Sequence, residues 1–279
     1  MAVVQTTQRD SARVTRLATP EDREAIVEFC RATWGPGTED YIERVIDRWI
    51  AGVDGALAVV DLGGRAVACC YVRFMSPREA FLAGMRVDPA HRRSGVSLAL
   101  TEYCLRYAAS HKRSVARVII GWNNSSALGA IMRAGFNRAG SMTLWERSAE
   151  DPPAPPEVAA ESAQPSPHPS PGELWAVGWA VRELTDEDIR ERIESGWALR
   201  RDGGLALLRP GEDHLWLGWL AGPADARVGL ARASVRAAAV AGFPRCRALL
   251  AGGAPTAHAL EAAGFTRGLE YLIYERSTR

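Results

Sequence analysis

Lysine is almost absent from this sequence: Lys112 stands alone, and arginine carries the rest of the positive charge. No sign of charge dominates either. Thirty-four basic against 33 acidic side chains leave a formal net charge of +1, which excludes the broad basic footprint of a nucleic-acid or anionic-membrane surface. Any anion site must therefore be local. Cys30, Cys69, Cys70, Cys104 and Cys246 form an odd, scattered set without CxxC spacing, so neither a disulfide framework nor a metal site is indicated, and buried free thiols are expected. No apolar run approaches the roughly 20 residues that span a bilayer. The opening MAVVQTTQRDSARV lacks the basic segment and apolar core of a secretory signal, so a cytoplasmic location is expected. GxxxxGK[ST] and GxGxxG are both missing, which removes the P-loop and Rossmann nucleotide folds.

What is present is ordinary globular material, 47% hydrophobic and 24% charged over 279 residues, enough for two cores. Residues 148–172, SAEDPPAPPEVAAESAQPSPHPSPG, hold eight of the sixteen prolines and no aromatic side chain, and read as an extended linker. The flanks of that linker resemble each other. Arg133-Ala134-Gly135-Phe136 precedes Leu144-Trp145-Glu146-Arg147 as Ala262-Ala263-Gly264-Phe265 precedes Ile273-Tyr274-Glu275-Arg276, with the same spacing. Val14–Asp22 likewise resembles Val181–Asp188, each a short strand entering a helix capped by Thr19 or Thr185. Four matches in one order indicate an internal duplication, with a second copy that lacks one helix.

The chemistry concentrates in Met85–Leu100, where an apolar strand ends at Val87, Pro89 stops it, and His91-Arg92-Arg93-Ser94-Gly95 leads into an apolar-periodic helix. A helix N-terminus offers unpaired N–H donors and partial positive charge, Gly95 permits close backbone approach, and Arg92 and Arg93 add full charges. The turn suits a pyrophosphate; the alternative is a solvated basic turn.

Val87-Asp88-Pro89 followed by Arg92-Arg93-Ser94-Gly95-Val96-Ser97 resembles the acetyl-CoA pyrophosphate motif of the GNAT superfamily of N-acetyltransferases, [Q/R]-x-x-G-x-[G/A], with Ser97 replacing the last small residue. Asn124 and the helix running to Gly135-Phe136 resemble the superfamily's second signature. The resemblance implies a mixed α/β fold, a central twisted sheet flanked by helices, in tandem: a GNAT domain over 12–147, the linker 148–172, and a degenerate copy over 173–279. It further implies acetyl-CoA as co-substrate, its pantetheine arm paired with the backbone of Met85, Arg86 and Val87, its pyrophosphate held by Arg92, Arg93, Ser94, Gly95, Val96 and Ser97, and Asn124 contacting the arm or capping its helix. An uncharged amine, from a small molecule or a peptide, would attack the thioester directly, with no metal and no covalent enzyme intermediate; a homodimer is left open.

Ile131 occupies the position where many members carry a proton-donating Tyr. That leaves Glu79 as a weak candidate base, and Tyr41 and Tyr103 as packing residues. In the second copy, Gly222–Ala231 matches the turn, with Gly229 against Gly95; Ala226 replaces the leading basic residue, Asp225 adds a negative charge beside it, and the Asn is lost within Gly252–Thr256. His258 is expected to be an exposed helix residue. Trp175, Trp179, Trp197, Trp216 and Trp219 gather in this half and suit an interdomain contact, a substrate wall or core packing. Two functions follow: an amine N-acetyltransferase, or an acyl-CoA-binding pseudoenzyme serving regulation or interaction.

Overall fold

A computed structural model describes residues 13–33, 40–153 and 167–279. The first repeat runs β1 (Arg13–Leu17), α1 (Arg23–Arg31), α2 (Ile42–Ile50), β2 (Gly55–Leu62), β3 (Arg65–Phe74), β4 (Glu79–Val87), α3 (Val96–Ser110), β5 (Val115–Gly121), α4 (Ser125–Arg133) and β6 (Asn137–Ser148). The second opens with a short hairpin, β7 (Leu174–Ala176) and β8 (Val181–Glu183). It continues through α5 (Asp186–Glu194), β9 (Ala198–Arg201), β10 (Gly204–Pro210), β11 (Leu215–Ala221), α6 (Ala224–Val240), β12 (Arg245–Ala251), α7 (Ala254–Ala262) and β13 (Thr266–Ser277). Among the described residues one α-helix separates β8 from β9 where two separate β1 from β2, so the second repeat is shorter by a helix, as expected. Among the described residues no helix is long and apolar enough to cross a membrane.

The duplication shows in side-chain chemistry as well as in element order. Arg16 grips Asp22 at 2.6 Å, and Asp22 accepts the Thr19 N–H at 2.8 Å. Arg182 grips Asp188 at 2.8 Å, and Asp188 accepts the Thr185 N–H at 3.0 Å. In each repeat one carboxylate thus serves a helix N-terminus and an arginine from the preceding strand.

The chain divides into two compact units that do not coincide with the repeats: residues 1–116, 130–135 and 276–279 in one, and 117–129 and 136–275 in the other. In the first unit the strands follow the order β1-β2-β3-β4, all antiparallel. Ile26, Phe29, Ile42, Ile46, Leu57 and Val59 form its core beneath α1 and α2. Trp49 stacks on Tyr71 with ring centroids 4.6 Å apart; its truncation to Ala would cost about 3–5 kcal/mol, as for other large buried aromatics.

In the second unit the order is β5-β13-β6-β12-β11-β10-β9, and here the repeats interleave. The closing strand of the first repeat, β6, pairs antiparallel with β12, from Met142 opposite Ala251 to Ser148 opposite Arg245. The closing strand of the second, β13, lies against β5: Trp122 N–H donates to Glu270 O at 3.0 Å, and Arg117 Nε to Glu275 Oε2 at 2.9 Å. The two repeats have exchanged their last strands, which is why the units cut across a simple 12–147 and 173–279 division. Matching arginines fix the exchange. Arg276 on β13 donates to Ala134 O at 2.5 Å, at the end of the first-repeat helix α4, and Arg147 on β6 donates to Ala263 O, at the end of α7.

Candidate acyl-CoA site

Strand β4 is buried from Glu79 to Leu82 and half-exposed from Ala83 onward. The change falls at a bulge: Cys69 faces Arg86 and Tyr71 faces Ala83, so Gly84 and Met85 stand where β3 offers only Cys70. Gly84 has φ +62°, and a Cβ there would come within 2.6 Å of the Trp49 ring, so the site requires glycine. The Cys69 and Cys70 thiols point at the bulge carbonyls, 3.7 Å from Gly84 O and 3.6 Å from Ala83 O. Contact with Cys30 and burial push the Cys69 thiol up, and contact with Cys104 and burial do the same for Cys70. These thiols stay protonated and serve the backbone rather than nucleophilic chemistry. All five cysteines are free and buried.

Beyond the bulge, the Arg86 side chain is committed to Asp40, at 2.7 and 3.3 Å. Burial works to depress its pKa, yet the hydrogen bonds and charge of Asp40 raise it on balance. The Arg86 guanidinium is therefore taken up by Asp40, and Met85, Arg86 and Val87 are each half-buried.

The turn that follows is shaped residue by residue. Asp88 Oδ1 accepts from Ala90 N–H at 2.9 Å, Ser94 Oγ donates to His91 O at 2.5 Å, Arg93 has φ +61° and Gly95 φ +78°. Gly95 is the N-cap of α3, and its missing Cβ leaves space as far as Arg13 Nη1, 3.8 Å away. Arg13 reaches in from β1 to Ser94 O at 3.2 Å; sequence reading missed this third cation because β1 lies some 80 residues upstream. Arg92, Arg93, Ser94 and Gly95 are exposed, and neither Arg92 nor Arg93 is paired with a carboxylate among the described residues. Val96 turns its side chain into the core while Ser97 stays half-buried. Arg13 at Ser94 and the exposed Arg92 and Arg93 of the turn thus put three arginines in or beside the stretch that enters the N-terminus of a 15-residue helix, and helix N-termini with added positive charge favour anions in general.

Asn124 is exposed at the end of β5, where its Oδ1 accepts from Ala127 N–H at 3.1 Å and caps α4. Ile131 on that helix is buried, at 8% exposure, and offers no proton. Glu79 is also buried, and its carboxylate accepts from Ser76 Oγ at 2.8 Å in the turn entering β4. Five strand residues separate it from the bulge, about 16 Å at the usual rise. The Ser76 contact gives Glu79 a part in holding that turn. Tyr41 lies near the Arg86 guanidinium, which is 5.7 Å from its ring centroid.

The second repeat differs where the anion would sit. Its helix α6 starts at Ala224, so β11 reaches it through Gly222 and Pro223 alone, against residues 88–95 in the first repeat. Gly229, which the sequence aligns with Gly95, lies inside the helix, Asp225 occupies its first turn, and Ala226 is buried. His258 is exposed on α7, as expected.

These features define a GNAT fold, and comparisons with known proteins agree. Residues 23–136 match the model of the acetyltransferase (GNAT) family. That stretch is similar to the family, and the fold it shares with the family supports acyl transfer in general. A putative acetyltransferase from Thermoplasma acidophilum is similar over 95% of this chain and 99% of its own, at 16% identity and TM-score 0.65. A GCN5-related N-acetyltransferase from Sphaerobacter thermophilus is similar over 96% of both chains, at 16% identity and TM-score 0.64. A tandem GNAT protein from the clavulanic acid biosynthesis pathway covers 96% of this chain and 99% of its own, at 13% identity and TM-score 0.59. A search of curated protein sequences returned no match.

Proposed function

We propose that the chain is an N-acetyltransferase that takes an acetyl group from acetyl-CoA and delivers it to an amine on a small molecule or peptide. The observation that carries this reading is the turn at 92–95, where two exposed, unpaired arginines and a positive-φ glycine open α3 directly after a bulged strand. In this reading the pyrophosphate lies on the N–H groups that open α3, with Arg92 and Arg93 against its oxygens, and the backbone of Met85–Val87 pairs with the pantetheine amides. Asn124 orients the end of β5. The neutral amine attacks the thioester carbon, the C–S bond breaks, and the thiolate of CoA leaves, taking up a proton by way of water. No side chain in the structure is assigned as acid or base, because Ile131 stands at the position the family gives to Tyr and Glu79 is remote.

That same pair of observations favours a second reading, an acyl-CoA-binding protein without turnover. A panel of primary amines with acetyl-CoA, scored by released thiol and by product mass, separates the two. Acetylated product supports the enzyme; saturable CoA binding with no product from any amine supports the binding protein, and absence of CoA binding defeats both.

A further inference from the structure

We infer that the cleft of the second repeat is already occupied by the chain's own β7–β8 hairpin, so that each chain holds a single acyl-CoA site. Strands β11 and β12 are parallel and paired over Leu215–Leu217 and Cys246–Ala248, and beyond that point they part. The divergence begins at a bulge: Leu207 faces Trp219 and Leu208 faces Leu217, which leaves Gly218 as the extra residue. Gly218 is the counterpart of Gly84, a glycine bent out of a central strand beside the parting of two strands. In the first repeat the helix α2 lies over that glycine through Trp49.

The second repeat has no such helix, and β7 takes the position. The carbonyl of Ala176 lies 2.3 Å from where a Gly218 Cβ would be, and the Trp175 ring 3.4 Å from it. The hairpin strand packs on both β11 and β12, bridging the strands that part. Trp219 Nε1 donates to Glu173 Oε1 at 2.7 Å at its base, and Trp179 meets Trp216 edge to face at 5.2 Å near its tip. Trp175, Ala176, Val177, Ala180 and Val181 are all buried. The hairpin holds itself in shape by Val177 N–H to Ala180 O at 2.8 Å and Leu184 N–H to Glu173 O at 2.8 Å.

A second obstruction is independent of the first. The link from β11 to α6 is Gly222-Pro223, and a Cβ on Gly222 would come within 2.4 Å of Gly204 Cα, so the connection is pressed against β10 and encloses no space for phosphate. Arm and pyrophosphate are thus both denied a place, the one by an inserted peptide and the other by a shortened loop.

Calorimetric titration of the full-length chain with CoA tests the stoichiometry, and hydrogen–deuterium exchange of residues 174–183 tests the hairpin separately from the acyl-CoA reading. One CoA per chain is expected, with binding abolished, more than a hundredfold weaker, in the double variant Arg92→Glu/Arg93→Glu. Amides of 174–183 should exchange slowly both with and without CoA. A second CoA per chain, binding retained by the double variant, or fast exchange across the hairpin would overturn the inference. If the wild-type chain binds no CoA while 174–183 stay protected, the reading of the first repeat fails and the self-occupied cleft stands.

Discussion

Gly84 in β4 and Gly218 in β11 bend equivalent strands, but one bulge leads to an open basic turn and the other to a two-residue link beneath a peptide hairpin. Around them the packing is kept: the Arg16–Asp22 and Arg182–Asp188 pairs and the apolar sides of β3 and β10 match. Scaffold and ligand site therefore diverge under different pressures. The buried face of a sheet is held by close packing, where a lost side chain leaves a cavity. A solvated loop between a strand and a helix can shorten with little penalty, and the binding it performed disappears with it.

The strongest way to break this comparison is to separate the repeats. Residues 1–150 alone would leave β5 without β13 and β6 without β12, two open sheet edges. Size-exclusion chromatography with light scattering should find a dimer or aggregate, because a second copy can supply the missing strand. A well-folded monomer would show that the exchange is dispensable.

Gly95→Asp comes next. The substitution places a carboxylate at φ +78° between Arg92–Arg93 and the helix N-terminus, and should weaken CoA binding roughly ten- to a hundredfold, the worth of one charge-assisted contact. The equivalent test in the second repeat, Asp225→Arg, should leave CoA affinity unchanged, since no loop exists there to hold a phosphate.

The paired anchors allow a symmetric comparison. Arg147→Ala and Arg276→Ala each strip a charged donor from the carbonyl at the end of a helix, and each should destabilise the chain by about 1–2 kcal/mol in urea titrations, with Arg276→Ala also losing the ion pair to Glu102 at 2.6 Å. Glu102→Gln measures that ion pair separately, and a loss in either arginine variant below about 0.5 kcal/mol would show that its contact does not anchor the strand.

The smallest expected effect is in pH. Burial depresses the pKa of His214 below 6.5 in spite of Asp213, bonded at 2.6 Å. The unfolded chain then binds a proton that the folded chain resists, so the stability is full above about pH 6.5 and falls as pH drops toward the folded value. His214→Gln should flatten that decline in thermal melts between pH 7 and 5; an unchanged slope would assign it to other groups.

Local structure was largely legible in the sequence. The helices opening at Val96 and Ser125 lie where the turn at Gly95 and the Asn124 cap put them, and Thr185 caps its helix through a reciprocal bond with Asp188. The basic turn was readable because its charges, Pro89 and Gly95 are contiguous. What escaped is non-local. Alternating side chains show that β6 and β13 are strands but not which neighbour each will have, so the exchange left no trace. Strand β7 has three residues beside a proline-rich stretch, too few for a period. The exposed polar start of β6, from Asn137, is held by pairing with Tyr274 and Glu275.

The exchanged strands also set an order of events during synthesis. Arg117 and Glu275 are 158 residues apart, so the edge of β5 stays unpaired from the time it leaves the ribosome until β13 follows, roughly ten seconds or more at ordinary elongation rates. A chain that must wait with an open strand edge is exposed to aggregation and to chaperone capture throughout that interval. The proline-rich stretch between the repeats gives the waiting half a spacer poor in residues that could pair with it.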